Sequence, residues 1–594
     1  MKSLLKSAIL GAGALLLAAC AGGPKDGEYT LELLTTNDVH GSYFDQSYVD
    51  DLQKNSMFAV NWYVDSVRNA AGKENVILID AGDHLQGDNA AYYFNYVDTK
   101  TEHVWSRIMD YMKYDAVVVG NHDVETAHPV YDRITKELSS HKIPYLAGNA
   151  VRNDNGEPYW QKYTTFRKNG IKVLVIGYTN ANMAAWLNES VWSGMKFESI
   201  VSMVQQDVDA IVAKEKPQVV IVATHTGTGS GNGEVLESQG MDILKEIKGV
   251  DFLLCAHDHR ATTVANGATY LVNSGSHARN LGHGTISLVI KDGKVVDKKV
   301  SAGLINVDAA KADPAMREAF KSDYEAVKAF TLQEVGALKS DFVMSDALFG
   351  MSDYMNFLHT VCLEATGAQI CFAAPLQTNG VIKAGTLIYN DLFNLYKYEN
   401  QLYTVKFKGS EIKNYLEYSY NSWIVTATKP TDHVLNIVGR DDPRTGMTGW
   451  SFRGATYNFD SAAGIRYTVD VTKPYGERIS IECLADGTPF DMDGEYTVAM
   501  TSYRASGGGD IMPKGAGIDA ETAETRTIDK QKEIRELMYD YMQKHGAIDA
   551  AECGNEAVIG HWEFVPSTIV EPALAADKAL VTRPYRAPGQ AAAK

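Results

Sequence analysis

The 594-residue sequence has little cysteine and no surplus of basic charge, and each shortage excludes a class of function. Only 6 cysteines occur, none in a CxxC pair, so thiolate zinc sites and dithiol redox motifs are excluded. Lys and Arg total 56 against 74 Asp and Glu, and the net charge of −18 disfavours binding to a nucleic-acid polymer, which needs clustered basic charge. With 45% hydrophobic and 22% charged residues, the chain is typical of a globular protein, and its length predicts several domains of about 100–200 residues each.

Long apolar runs are also missing, except at the N-terminus. Residues 1–20 carry Lys2 and Lys6 before an apolar run of about a dozen residues, too short for a transmembrane span of roughly 20. The tetrad Leu17-Ala18-Ala19-Cys20 resembles a bacterial lipobox, whose cysteine is acylated. We therefore expect a lipoprotein signal peptide at 1–20, a cell-envelope protein held to the membrane only by a lipid on Cys20, and no other membrane contact. An ordinary cleaved signal with an incidental cysteine is the alternative.

From Tyr29 onward, short aliphatic runs alternate with helix-favouring stretches, which predicts a layered α/β domain. Each run ends in a polar cluster, and buried strands of such domains deliver functional groups at their carboxyl ends. The runs are LELLTTNDVHG, NVILIDAGDHLQGD, DAVVVGNHD, VVIVATHTG and VDFLLCAHDH. Their polar ends supply oxygen or imidazole groups, which are metal-ligand types.

The spacing within these clusters strengthens the metal hypothesis. Asp38 and His40 lie two positions apart, as do His257 and His259, and the period-2 geometry of a strand end sends both members of a pair to the same side. Either pair alone is weak evidence, because surface Asp and His are common. Five ligand-type clusters that each end a buried-strand pattern are much harder to explain as solvated loops.

The blocks TNDVHG, AGDHLQG, VGNHD, THTG and AHDH, in this order within residues 35–259, resemble the signature of the calcineurin-like metallophosphoesterases, specifically that of the 5′-nucleotidase family. The resemblance implies a metallophosphoesterase sandwich over 29–310 and two divalent metal ions. Its ligand positions are Asp38, His40 and His259 for one ion and Asn121, His225 and His257 for the other, with Asp83 bridging them. This mixed N/O set suits Zn, Mn, Co or Fe and does not choose among them.

The resemblance also implies the chemistry. A water that bridges two ions about 3.5–4 Å apart loses a proton near neutral pH and attacks phosphorus. His122 would stabilise the developing charge or protonate the leaving ribose oxygen. The family has an acidic partner three residues after this histidine, and because the block here reads GNHDVE rather than GNHEFD, Glu125 takes that position with a longer side chain. A loop histidine that caps backbone groups is the alternative role for His122.

A charged, helix-favouring stretch with Pro314 near its first turn predicts an interdomain helix at 311–336. A fresh apolar pattern follows over 337–545, and residues 546–594 are expected to form a tail. Blocks such as APLQTNG, TYNFD and SYRASGGGD resemble the 5′-nucleotidase C-terminal domain, which implies a second α/β domain that recognises the nucleoside. Within the family these blocks look closest to the 2′,3′-cyclic-nucleotide 2′-phosphodiesterase/3′-nucleotidase branch.

The resemblance assigns substrate contacts to the second domain. Tyr457 and Tyr503 would clamp the base between two aromatic faces, although ordinary strand aromatics are the alternative. Gly508, in a run of three glycines, would let the backbone approach the ligand, unless the run is a plain turn. Asn379 begins the block NGVIK, where 5′-nucleotidases have an NGGGIR-like block with a phosphate-binding arginine. Lys383 lacks the guanidinium fork, which favours cyclic or 3′-phosphates over 5′-monophosphates.

Together these features predict a dinuclear-metal hydrolase of nucleotide phosphoesters, of the 2′,3′-cyclic-nucleotide 2′-phosphodiesterase/3′-nucleotidase type, that releases nucleoside and phosphate for salvage. A 5′-nucleotidase of the same family is the first alternative, and a non-catalytic nucleotide-binding lipoprotein is a remote one. We expect small nucleotides as partners, no nucleic-acid polymer, and a monomer.

Overall fold

The computed structural model describes residues 24–233, 235–442 and 447–582. The expected signal peptide and its Cys20 lie outside these residues, as does the last part of the expected tail. The described chain forms two compact units, one of residues 24–184 and 189–329 and the other of residues 185–188 and 330–582. Among the helices of the described residues, we find no candidate for a membrane-spanning segment.

The first unit contains 14 strands among its described residues. They are β1 (Gly27–Thr36), β2 (Val76–Asp80), β3 (Ala116–Val118), β4 (Tyr145–Leu146), β5 (Ala150–Arg152), β6 (Tyr163–Lys168), β7 (Ile171–Tyr178), β8 (Met195–Phe197), β9 (Val219–Thr224), β10 (Phe252–Leu254), β11 (Ala261–Asn266), β12 (Thr269–Ser274), β13 (Asn280–Lys291) and β14 (Lys294–Asn306). The helices are α1 (Met57–Ala71), α2 (Asn89–Tyr92), α3 (Val104–Met112), α4 (Asn121–Glu125), α5 (His128–Ser140), α6 (Met183–Trp186), α7 (Ile200–Glu215), α8 (Gly240–Glu246), α9 (Pro314–Ala319) and α10 (Lys321–Thr331). Of these, α6 and α10 each include residues of both units.

Two six-stranded sheets build the first unit, in the orders β14-β13-β1-β2-β3-β4 and β11-β12-β10-β9-β7-β6. The central strands β1 to β4 run parallel to one another, and so do β7, β9, β10 and β12. One apolar cluster draws alternate residues from both sheets, for example Ile77 and Ile79 of β2 and Ile221 of β9. A second cluster lies on the other face of the β9 sheet, under α7 and α8. This arrangement confirms the predicted α/β sandwich.

The amphipathic pattern of α7 explains how a helix covers the sheet. Its buried residues are Ile200, Val204, Val208 and Ile211, which recur at helical spacing and so form one apolar stripe. The apolar stripe packs against residues of β7 and β9, such as Ile176 and Val222, in the same cluster. The sequence pattern therefore determines both the helix and the face that it buries.

The second unit contains the strands β15 (Glu334–Leu338), β16 (Phe342–Val343), β17 (Ile370–Ala373), β18 (Val381–Ile382), β19 (Gly385–Ile388), β20 (Gln401–Lys408), β21 (Ile437–Asp442), β22 (Met447–Phe452), β23 (Ser461–Ala463), β24 (Ile465–Asp470), β25 (Ile479–Leu484), β26 (Glu495–Thr501), β27 (Thr527–Glu533), β28 (Ala547–Ile548) and β29 (Gly560–Val565). Its helices are α11 (Asp353–Thr366), α12 (Tyr389–Leu395), α13 (Gly409–Trp423), α14 (Ser502–Ala505), α15 (Ala520–Arg526), α16 (Ile534–His545), α17 (Ala550–Cys553), α18 (Glu556–Ile559) and α19 (Ser567–Val581). The largest sheet has five strands in the order β23-β17-β26-β20-β27. Its core includes the buried face of α13, with Tyr415, Tyr420 and Trp423.

The predicted interdomain helix is two helices, because the backbone breaks at Phe320 between α9 and α10. Pro314 occupies the first turn of α9 as predicted, and Asp313 caps this helix by accepting the backbone N–H of Ala315 at 2.8 Å. Both helices are attached to the first unit, since Arg317 pairs with Asp45 and Asp323 accepts two hydrogen bonds from Arg107.

The expected tail also differs from the structure. Residues 547–581 form two strands and three helices of the second unit, and β29 runs parallel to β24 from Ile465↔Gly560 to Asp470↔Val565. Trp562 and Phe564 alternate along β29 and enter the core of this unit. Burial of these aromatic residues explains why the segment is folded.

Candidate metal centre

The seven predicted metal ligands all follow the carboxyl ends of parallel strands. Asp38 and His40 follow β1, Asp83 follows β2 and Asn121 follows β3 in the first sheet. In the second sheet, His225 follows β9, and His257 and His259 follow β10. Because parallel strands end at the same edge of a sheet, the topology brings these distant segments together.

Six of the seven form two groups, each able to hold a metal ion. One group is Asp38, His40 and His259, and the other is Asp83, His225 and His257, with the ligand atoms of each group within 4.8 Å of one another. The groups are adjacent, since His40 Nε2 lies 4.0 Å from Asp83 Oδ2 and His225 Nε2 lies 3.9 Å from Asp38 Oδ1. Asn121, the seventh, places its Oδ1 2.9 Å from His257 Nδ1.

Two of the histidines are oriented by backbone carbonyls. The Nδ1 atom of His225 lies 2.7 Å from the carbonyl oxygen of Ala81, and that of His40 lies 3.1 Å from the carbonyl oxygen of Gln86. A hydrogen bond from Nδ1–H to a carbonyl leaves the lone pair on Nε2, as is usual for histidines that bind metals.

His225 Nε2 gives a direct test of whether these residues fit a cation. This atom is fully buried and makes no hydrogen bond, although it lies 3.0 Å from Asp83 Oδ2. A buried polar atom without a hydrogen bond costs free energy unless another ligand satisfies it. A divalent cation would satisfy both this nitrogen and the adjacent carboxylates, so the residues fit the group that their sequence pattern predicts.

The site also contains two buried carboxylates, Asp38 and Asp83. Burial alone would raise the pKa of Asp83, but His225 and His122 outweigh it and hold this pKa well below its ordinary value. For His40, burial is the largest effect and lowers its pKa to about 3, so its imidazole is neutral and available as a ligand. Two buried carboxylates beside a neutral imidazole therefore provide a cage that favours cations.

Backbone strain is concentrated in the same place. Five of the seven ligand positions are non-glycine residues in the left-handed region: Asp38 (φ 49°), His40 (48°), Asp83 (64°), His257 (68°) and His259 (57°). Each such residue costs roughly 1–3 kcal/mol, and strain of this kind persists where function requires it. Runs such as NDVHG and AGDHLQG carry no local signal for this conformation beyond their glycines and polar residues.

Asp123, which the sequence motifs did not single out, connects two of the loops that carry predicted ligands. It is fully buried, and its two oxygens accept backbone N–H groups from Asp83 (3.2 Å), His84 (2.9 Å), Leu85 (3.1 Å) and Gly120 (2.8 Å). One carboxylate thus holds the loop of Asp83 against the loop that carries Asn121. Its only sequence signal is its place within the block GNHDVE.

His122 and Glu125 lie side by side at the site. The backbone N–H of His122 donates to Asp83 Oδ1 at 2.8 Å, and the His122 ring centroid is 5.3 Å from that of His40. His122 Nδ1 lies 2.5 Å from Glu125 Oε2, so the longer glutamate reaches its histidine within a single helical turn of α4. The side chains are 27% and 16% exposed, which leaves His122 accessible to a substrate.

The predicted substrate contacts of the second unit lie on three segments of the chain. Tyr457 is 40% exposed beside Tyr398, with ring centroids 6.4 Å apart, while Tyr503 is half-buried at the start of α14. Gly508 is buried, and a Cβ on it would lie 2.4 Å from the Tyr503 ring, so this glycine accommodates the aromatic ring. Asn379 is exposed in the loop between β17 and β18. Arg504, which the sequence analysis did not single out, connects the two tyrosine-bearing segments through hydrogen bonds.

Known proteins resemble this chain in sequence and in fold. The Bacillus subtilis trifunctional nucleotide phosphoesterase protein YfkN is 24% identical over 93% of this chain, which spans 40% of that protein. The Haemophilus influenzae 2′,3′-cyclic-nucleotide 2′-phosphodiesterase/3′-nucleotidase is 23% identical, over 91% of this chain and 88% of its own length. A solved structure of a candidate 5′-nucleotidase from Staphylococcus aureus has the same fold, with a TM-score of 0.72 at 19% identity over 90% of this chain and 99% of that one.

Family descriptions match both units. Residues 31–261 match the calcineurin-like phosphoesterases, and residues 333–515 match the 5′-nucleotidase C-terminal domain. The first match includes all seven predicted ligands, and members of this family bind a dinuclear metal site. The chain belongs to the calcineurin-like phosphoesterases that carry a 5′-nucleotidase C-terminal domain, and it is a hydrolase of phosphoesters.

Proposed function

We propose that this protein hydrolyses 2′,3′-cyclic nucleotides and 3′-nucleotides and releases nucleoside and phosphate for salvage. The observation that carries the proposal is the convergence of two ligand groups next to the His122–Glu125 pair. The Haemophilus influenzae relative, which aligns over most of both chains, carries this activity in its name.

The seven predicted ligands would bind two cations. Asp38, His40 and His259 would hold one cation and Asn121, His225 and His257 the other, with Asp83 contacting both; Zn, Mn, Co and Fe all suit this set. Two such cations supply charge neutralisation for the phosphate oxygens and lower the pKa of a water molecule that acts as nucleophile.

His122 would act on the leaving group. Its Nδ1 faces Glu125, and its Nε2 would donate a proton to the departing ribose oxygen. Glu125 would stabilise the protonated imidazole and hold its orientation. Asp123 would keep Asp83 and Asn121 in register through its four backbone hydrogen bonds.

The second unit would supply recognition of the base. Tyr457 and Tyr503 would stack on it, which is worth about 1–3 kcal/mol per stack and does not select one base. Asn379 and Gly508 are further predicted substrate contacts.

A 5′-nucleotidase is the alternative, and one residue weighs against it. Lys383 is 74% exposed, with its Nζ 2.7 Å from Asp341 Oδ2. A lysine has no guanidinium fork for bidentate contact with a phosphate, so it is a poor replacement for a phosphate-binding arginine. A non-catalytic nucleotide-binding protein is disfavoured because every ligand position is filled.

The N-terminal pattern supports placing this activity in the cell envelope. We propose that Cys20 is acylated, that the lipid is the membrane anchor, and that the protein acts as a monomer.

A nucleotide panel tests the proposal. Hydrolysis of 2′,3′-cyclic AMP, 3′-AMP and 5′-AMP should favour the first two, and a clear preference for 5′-AMP would select the alternative. His122→Ala should lower kcat by about 10²–10⁴, as expected for loss of a general acid. His283→Ala is the matched control, since this half-exposed histidine contacts Glu32 on β1, away from the ligand groups. Undiminished hydrolysis in both His122→Ala and Asp83→Ala would refute the assignment.

A further inference from the structure

Arg504 is an arginine that is almost completely buried in the second unit, 3% exposed, directly after Tyr503. It forms a bidentate ion pair with Asp460, which is 1% exposed. Arg504 Nε donates to Asp460 Oδ2 and Arg504 Nη2 donates to Asp460 Oδ1, both at 2.8 Å. A buried, bidentate pair is costly to desolvate and holds a fixed geometry, so it is a strong constraint on whatever it connects.

The remaining donors of Arg504 reach two loops. Nη1 donates to Asn458 Oδ1 at 3.0 Å and to the carbonyl oxygen of Gly508 at 2.9 Å, and Nη2 donates to the carbonyl oxygen of Tyr457. A guanidinium has five N–H groups, and all five are therefore used.

The sheet topology explains why one side chain can do this. In the five-stranded sheet, β17 lies between β23 and β26, parallel to β26 and antiparallel to β23. The segment before β23, which holds Tyr457 to Asp460, therefore meets the segment after β26, which holds Tyr503 to Gly508. Arg504 bonds these two segments together.

The glycines show how tightly the segments are fitted. A Cβ on Gly508 would lie 2.4 Å from Tyr503 Cε2, and a Cβ on Gly509 would lie 2.4 Å from Asn458 Oδ1. The Tyr503 ring thus lies against the Gly508 backbone, and the Asn458 amide lies against Gly509. Small shifts of either segment would change how the two tyrosines are presented.

We propose that Arg504 and Asp460 are a positioning pair for base recognition, which holds Tyr457 and Tyr503 in the arrangement that accepts a nucleobase. The inference rests on the proposed function, in which these tyrosines bind the base. The hydrogen bonds of Arg504 and Asp460 join residues of the second unit and do not reach His122 or the predicted metal ligands, so the pair controls substrate affinity and leaves the chemical step unchanged.

Arg504→Lys is the direct test, because lysine keeps the charge and has three donors instead of a five-donor fork. KM for 2′,3′-cyclic AMP should rise about tenfold, within the range expected for losing one aromatic stack, while kcat changes less than about twofold. The affinity for adenosine alone, measured by calorimetry, should fall by a similar factor.

Coupling to the tyrosine distinguishes positioning from general damage. If Arg504 acts through Tyr503, then KM of the Arg504→Lys/Tyr503→Ala double variant equals that of Tyr503→Ala, whereas independent damage multiplies the two effects. Arg478→Lys is the matched control: Arg478 is 5% exposed in the same unit and donates to Lys473, Asn421 and Thr426. It should lower the melting temperature and leave KM unchanged.

The KM values of these variants separate the positioning role of Arg504 from the existence of the base site. An unchanged KM in Arg504→Lys, with a raised KM in Tyr503→Ala, overturns the positioning role and leaves the base site in place. An unchanged KM in both Tyr457→Ala and Tyr503→Ala overturns the base site and the positioning role together. If Arg504→Lys does not fold, Asn458→Ala replaces it, since it removes one acceptor from the half-buried side of the network; a KM raised about threefold supports the proposal and an unchanged KM contradicts it.

Discussion

The position of a predicted ligand at the metal centre depends on neighbouring residues that are not ligands themselves. Asp83 is placed by Asp123, whose carboxylate accepts four backbone N–H groups from two loops. Since a ligand must be held within a fraction of an ångström of its productive position, such supporting groups influence metal affinity nearly as much as the ligands do.

Asp123→Asn is therefore expected to weaken metal binding. The amide has a single acceptor oxygen, and its NH2 group would face two of the four backbone N–H groups, which costs about 1–3 kcal/mol of stability. Metal affinity, measured by calorimetric titration of the metal-depleted protein, should fall about 10–100-fold.

Asp207→Asn is the matched control for that variant. Asp207 accepts hydrogen bonds from Lys162 and Tyr178 in the same unit and contacts none of the seven predicted ligands. It should change stability and leave metal affinity as it is. Equal affinities for wild type and Asp123→Asn would show that Asp123 has no part in placing the ligands.

Among the secondary-structure elements, the strands that end at the metal centre could be predicted from the sequence. The aliphatic runs before Asp38, Asp83, Asn121, His225 and His257 all form buried strands, because such runs gain most from a sheet covered on both faces. The two-residue spacing does not decide which side chains meet, because Asp38 and His40 join one ligand group whereas His257 and His259 join different groups. All four have a left-handed backbone, so the period-2 geometry of a strand does not apply to them.

The remaining features come from tertiary packing, which a linear pattern does not encode. The left-handed backbone at His257 and His259 is imposed by surrounding structure, against the intrinsic preference of histidine. The folding of 547–581 depends on pairing of β29 with β24, about a hundred residues earlier in the chain. The role of Arg504 depends on a meeting of segments that the strand order determines.

In the loop after α14, Gly508 packs against the ring of Tyr503, and a side chain there should disturb base binding. In Gly508→Ala, the added Cβ would lie 2.4–2.6 Å from three atoms of the Tyr503 ring, so the ring must move. KM for 2′,3′-cyclic AMP should rise about fivefold with little change in kcat, because the tyrosine would no longer stack well on the base. Gly449→Ala on β22 is the control, since its Cβ meets no atom closer than 3.9 Å. Identical KM values for Gly508→Ala and Gly449→Ala would argue against a link between Gly508 and the base site.

Helix α11 gives a prediction about pH. His359 on this helix is buried, with its Nε2 3.2 Å from Ser461 Oγ, and burial lowers its pKa from 6.5 to about 4 in spite of nearby Asp460. Between these values the unfolded chain binds a proton here that the folded protein does not, so the free energy of unfolding falls as the pH falls.

The melting temperature should therefore drop more between pH 7 and pH 5 for wild type than for His359→Gln, whose side chain does not titrate. Comparing the two proteins at both pH values cancels the contribution of other carboxylates and histidines. An equal drop in both would mean that His359 does not contribute to the acid sensitivity.

For the molecule as a whole, the net charge of −18 repels phosphate-bearing ligands unless cations are bound. The acidic surface disfavours polymeric nucleic acids, while cations at the site provide the local positive charge that a small phosphoester needs. Catalysis and metal content should therefore change together.

This dependence can be measured as hydrolysis of 2′,3′-cyclic AMP while metal is returned to the depleted protein, with bound ions per chain counted by elemental analysis. We expect two bound ions per chain at full activity, no activity without them, and loss of both in Asp83→Ala. Full hydrolysis by protein that holds no ions, or an Asp83→Ala variant that keeps both ions and full activity, would contradict it.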